Sequence, residues 1–154
     1  MRTLYALLGV LTCAGCTHHP QTHSQRISIG TSDSNAIVVP ILRLIAAPDE
    51  FAGKHVRVLG FLHLEFEGSA LYPTAEHAEE FLMLNGLGVS LTRELSGAAS
   101  NLTDRYVILE GVFRPRTETT FSGWAGSIDD VYLIEEWSLG KSWRLRQQKI
   151  SPNQ

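Results

Sequence analysis

His63, Glu65 and Glu67 stand two residues apart in a run that alternates in character from His55 onward. An imidazole with two carboxylates can hold a divalent metal or move protons in a hydrolytic reaction, so these three residues are one candidate centre. Their spacing argues against it. Same-face neighbours on a β-strand stand about 6.5 to 7 Å apart, too far for a single site, and the expected role is a solvated outer face. His77 among Glu76, Glu79 and Glu80, and His55 beside Arg57, likewise read as charged surface.

A second group carries binding rather than bond-making chemistry. Arg114 and Arg116 precede Phe121 and Trp124 in a Thr- and Gly-bearing connection that runs to Gly126. Arg, Phe and Trp are enriched at interfaces, and long loops on small barrels commonly carry binding. The bland alternative is that Phe121 and Trp124 plug one end of a barrel. Ser122 lacks the strand, turn and helix of a nucleophile elbow, and no Gly-x-Ser-x-Gly, HExxH, P-loop or dinucleotide fingerprint occurs. No catalytic set and no cofactor are therefore expected.

The chain has 154 residues, 44% hydrophobic and 19% charged, which suits one domain. Its net charge of −3 offers no electrostatic surplus for gripping a phosphate backbone, so nucleic acid is not an expected partner. Both cysteines, Cys13 and Cys16, lie in the first sixteen residues, which excludes a disulfide framework for the folded part. They have the spacing of a redox pair, but an apolar leader precedes them and no strand-to-helix context surrounds them. That leader, Leu4 to Leu11 after Arg2, is too short to span a bilayer.

Ala14-Gly15-Cys16 after this run resembles a bacterial lipoprotein signal, with Cys13 where that pattern prefers Leu. The resemblance implies cleavage after Gly15, a lipid on Cys16 and a cell-envelope location. Thr17, where an Asp often marks inner-membrane retention, favours the outer membrane facing the periplasm. Ordinary secretory cleavage between Cys13 and Cys16 is the other reading. Loss of residues 1–15 removes Arg2 and leaves twelve basic against sixteen acidic residues, a balance of −4. Residues 16–36 are polar apart from Ile27 and Ile29 and read as a flexible tether.

The elements that position the candidates begin with a short helix after Pro40, in which Ile41, Leu44 and Ile45 fall at helical spacing until Pro48 ends it. A strand from His55 puts Val56, Val58, Gly60, Leu62, Leu64 and Phe66 on one face, with Gly60 marking a bend. Ala70 to Tyr72 returns as a hairpin, Thr74 starts a short helix, and Leu87 to Leu91 forms a third strand. Ser96 to Asn101 reads as a loop before strands at 106–113 and 131–137. The expectation is a mainly β fold: a five-stranded Greek-key barrel of the OB type over 37–138, with an N-terminal short helix and one helix inserted between strands. Residues 139–154, with Lys141, Arg144, Arg146 and Lys149, read as a basic, disordered tail.

Phe51 to Gly60, where a Gly-Lys turn feeds a Val-x-Val-x-Gly strand, resembles a family of small bacterial OB-like proteins, as do Gly60–Gly68, Leu71-Tyr72, Asn85-Gly86, Tyr106–Phe113 and Phe121–Gly123. The likeness covers about residues 38 to 137 and brings no catalytic residue with it. Together these readings describe a lipid-anchored envelope module without catalysis, possessing a protein or polymer partner and acting as an inhibitor or immunity-type lipoprotein. The alternative is the hydrolase or metal protein built on His63, Glu65 and Glu67.

Overall fold

Alternation from His55 to His63 produces the central strand, and Val56, Val58, Gly60 and Leu62 all point inward and are buried. The computed structural model describes residues 26–66, 68–117 and 123–137. In chain order the elements are β1 (Ser28–Gly30), β2 (Ile37–Val38), α1 (Ile41–Ala46), β3 (His55–His63), β4 (Ala70–Tyr72), α2 (Ala75–Glu79), β5 (Leu87–Val89), α3 (Arg93–Ala99), β6 (Arg105–Pro115) and β7 (Gly126–Glu136).

Strands β3, β4, β5, β7 and β6 pair in that spatial order, and β6 pairs back onto β3, closing a five-stranded barrel. All contacts are antiparallel except β5 with β7, which is parallel. This is the mixed, OB-like barrel that the strand pattern implies. Gly60 is where two strands and a helix crowd together: a Cβ there would lie 2.7 Å from the Tyr72 carbonyl oxygen and 2.8 Å from Ile41 Cδ1. Gly111 repeats the device, with Asp129 O 2.7 Å from the position of its missing Cβ. Here the β6–β7 register shifts, and Asp130, at φ +49°, takes up part of the extra length of β7.

Two strands lie outside the barrel, which corrects the extent of the tether. Residues 28–36 fold onto the protein: β1 pairs antiparallel with residues 133–135 of β7, and β2 runs parallel to the start of β3. The attachment is polar as well as backbone-paired. Glu110 of β6 is fully buried, faces Arg57 in register and forms an ion pair with it. The Ser32 hydroxyl donates to Glu110 Oε1 at 3.0 Å and the Asp33 amide to Oε2 at 2.8 Å. Gly30 makes the approach possible, since at φ +97° a Cβ would stand 1.9 Å from Tyr132 O.

Three further expectations change. Residues 93–99 form α3 and 100–102 a turn of 3-10 helix, not the loop read over Ser96–Asn101. Thr92 caps α3 by accepting the Leu95 amide at 3.3 Å, and Ala99 and Leu102 are wholly buried, so packing overrides the low helix propensity of Gly97. Two helices, α2 and α3, thus sit between barrel strands where one was expected. Pairing of Arg114 with Ser127 and of Pro115 with Gly126 lengthens β6 and β7 and shortens the connection between them. Phe66 does not share the inward face, because β3 ends at His63 and leaves its ring fully exposed.

The main core joins residues from α1, the barrel strands and the α3 end, including Leu44, Val58, Leu62, Leu102, Leu109, Phe113 and Ile134. A smaller cluster of Ala70, Tyr72 and Trp124, supported by Ala78 and Met83, packs outside it.

Candidate functional site

The ends of β6 and β7 bring Arg114, Pro115, Gly126 and Ser127 side by side. Gly68 and Ser69 approach from the β3–β4 side, and the Ser69 hydroxyl donates to the Glu65 carbonyl at 3.0 Å. Between them and β5 lies a cleft of about 460 Å³, lined by Ser69, Ser90, Arg114, Arg116, Trp124 and Ser127 among others. The face of the second and third barrel strands, flanked by their loops and the last connection, is where OB-type barrels bind ligands.

Arg114, Arg116 and Trp124, picked out by residue type, therefore meet in one concavity. Phe121 lies outside the described residues. Arg114 stands 3.9 Å from Asp129 and 3.8 Å from Asp130, long pairings at an exposed position that leave its guanidinium available to an anion. Arg116 is exposed, and no carboxylate among the described residues pairs with it. Trp124 is buried rather than presented. Its ring stands edge-on to Tyr72 at 5.5 Å and to Phe81 at 6.1 Å, and Gly88 yields it space, a Cβ there falling 2.9 Å from Trp124 Cδ1. Trp124 thus floors the cleft within the small cluster outside the main core and does not plug the barrel interior.

His63 is held differently from the expectation. Its Nε2 lies 2.8 Å from Glu65 Oε1 and its Nδ1 lies 2.6 Å from Asp104 Oδ1. Strand spacing does not separate His63 from Glu65, because β3 stops at His63 and the chain turns back. Glu67 falls outside the described residues. Asp104, at φ +58°, was missed by sequence reasoning; it is delivered by the register of Leu62 with Arg105. Its hydrogen bond, then that of Glu65, raises the His63 pKa above its ordinary value, against a lowering by partial burial. An imidazole engaged by carboxylates at both nitrogens favours the charged form and offers no lone pair to a metal or a substrate proton. Among the described residues no group of three His, Cys, Asp or Glu side chains is arranged to hold a metal ion.

Cys16 lies outside the described residues, as does the basic stretch from Lys141 to Lys149. No helix among the described residues is long and apolar enough to cross a membrane. No known protein-family model and no curated protein matches this chain.

Proposed function

We propose that this protein is a binding module of the bacterial cell envelope without catalytic activity, anchored by a lipid on Cys16. It engages an envelope protein or polymer through the cleft of Arg114, Arg116 and Trp124, in the manner of an inhibitor or immunity-type lipoprotein. The observation that carries this reading is the convergence of those three residues, 114, 116 and 124, in one concavity at the loop end of an OB-like barrel. Exposed guanidiniums beside serine hydroxyls suit a partner with acidic or hydroxyl-rich groups. The net charge of −3 speaks against nucleic acid.

The anchor's geometry supports the same use. Ten residue steps separate Cys16 from Arg26, so the barrel would stand within about 35 Å of the leaflet. The chain joins β7 at its far end, where the Glu136 amide donates to the Ile27 carbonyl at 2.8 Å. Ser127, in the cleft, lies nine residues away along β7, at most about 30 Å. The cleft thus lies at the end of β7 opposite the Glu136 end, where Ile27 pairs.

The test pairs two variants. Cys16→Ser should lose the lipid mass and leave the membrane fraction, and Arg114→Ala with Arg116→Ala should stay anchored and lose envelope partners in crosslinked pull-downs. Unchanged fractionation of the first, or unchanged partners of the second, overturns the corresponding half of the proposal.

The alternative reading is a small hydrolase or metal protein using His63, Glu65 and Glu67, and the engagement of both His63 nitrogens by Asp104 and Glu65 counts against it. It requires stoichiometric metal or hydrolytic activity in the purified protein that His63→Ala removes.

A further inference from the structure

What the cleft binds can be narrowed, on the reading that Arg114, Arg116 and Trp124 form the binding site. Beside the cleft a shallow groove of about 510 Å³ is walled by Phe81, Leu82, Met83 and Leu84. Arg116 lines both cavities, and Trp124, which lines the cleft, touches Phe81 with its ring edge. Gly123 lies directly against the groove, since a Cβ there would stand 2.2 Å from Met83 Cε.

The groove is apolar and open to solvent. Phe81, Leu82 and Leu84 are 52%, 44% and 61% exposed and form one contiguous apolar wall. Phe81 keeps φ +51°, a conformation that bulky side chains avoid and that fixes its ring between the groove and Trp124. Among the described residues no carboxylate lines the groove, and Asp129 is the only one lining the cleft.

We infer that cleft and groove form one bipartite site for a single amphiphilic molecule, its anionic head on Arg114 and Arg116 and its hydrocarbon chain along Phe81, Leu82 and Leu84. A neutral ligand leaves Arg116, with which no carboxylate among the described residues pairs, without a counter-charge. A purely polar anion leaves the groove wet. Because Arg116 borders both cavities, head and chain are recognised next to each other, as within one molecule.

The test is calorimetric titration of the full chain carrying Cys16→Ser with hexyl, octyl and decyl phosphate below their micelle concentrations. Inorganic phosphate and decyl maltoside are the controls. Affinity should rise at least twofold per added methylene, about fourfold being the limit for complete burial. Arg116→Gln should weaken decyl phosphate at least tenfold, and Leu82→Ser with Leu84→Ser should flatten the chain-length dependence; these side chains are exposed, so the fold should persist. Equal binding of inorganic and decyl phosphate would reduce the site to an anion cleft, and equal binding of decyl maltoside to an apolar patch; either overturns the inference. No binding of any alkyl phosphate, with envelope capture still abolished by Arg114→Ala and Arg116→Ala, overturns it too and points to a macromolecular partner, leaving the proposed function standing. Capture that ignores the cleft variants overturns that function instead.

Discussion

Arg57 and Glu110 face each other across β3 and β6, and the carboxylate is completely buried while its guanidinium partner remains one-third exposed. A buried charge is tolerable only when paired and hydrogen-bonded, and three donors meet that need here: Arg57, the Ser32 hydroxyl and the Asp33 amide. Two of the three come from the chain segment before β2. The pair therefore joins the barrel wall to its N-terminal strap.

Removing Arg57 alone strands the Glu110 charge. Arg57→Ala should lower unfolding free energy by about 3 kcal/mol, the lower end for a broken buried pair because Arg57 is partly solvated. Arg57→Met combined with Glu110→Leu should recover most of that loss, since no buried charge then remains. Urea unfolding of both variants measures the difference, and equal losses would show that the charge is not the cause.

The strap should be separable from the barrel. Gly30→Ala places a Cβ against the Tyr132 carbonyl at a left-handed backbone position, so β1 must leave its register with β7. Amides of residues 28–30 should then exchange at least tenfold faster, while the amides of Val56 and Val58 in the barrel core keep their protection. Hydrogen exchange resolved by residue tests this, and uniform loss of protection would mean that strap and barrel unfold as one unit.

The barrel strands were legible because their signal is local. Val56, Val58, Gly60 and Leu62 declare a period of two, and β3 follows it residue for residue. What escaped was decided by distant partners. The segment from Gly30 to Ala36 is rich in Thr, Ser, Asp and Asn, and nothing within it reveals that Glu110, almost eighty positions away, holds it down. The one hint was a glutamate inside the otherwise apolar run Val107 to Phe113. Gly97 within the run Ser96 to Asn101 hid α3, which is held by the burial of Ala99 and of Leu102 in the turn after it. The cleft was half legible: residue types singled out Arg114, Arg116 and Trp124, but the apolar groove beside them comes from the turn after α2, which looks like an ordinary connection.

His63 should make stability depend on pH in one direction. Its folded pKa lies above the ordinary 6.5 because Asp104 and then Glu65 favour the imidazolium. The stabilisation is therefore fully present below about pH 6.5 and fades as pH rises through the higher folded value. At this partly solvated position it is worth roughly 0.5 to 1 kcal/mol. The stability gap between wild type and His63→Gln should be of that size at pH 5.5 and close to zero at pH 9. A gap independent of pH would mean that His63 contributes by packing alone.

Trp124 and Arg116 line the same cleft, yet they should fail in different ways. Trp124 fills the small cluster with Tyr72 and Ala70, so Trp124→Leu opens a void that its neighbours cannot fully close. A loss of about 2 to 4 kcal/mol is expected, as for other large-to-small changes in packed clusters. Arg116 is exposed and unpaired by any carboxylate among the described residues, so Arg116→Ala should change stability by less than about 0.5 kcal/mol. Partner capture reverses the comparison: it should fall with Arg116→Ala in fully folded protein. With Trp124→Leu it should fall only in proportion to what the altered floor displaces. If Trp124→Leu leaves the thermal midpoint unchanged and abolishes capture, the indole is a contact residue rather than the floor, and its burial beneath Phe81 must open when the partner arrives.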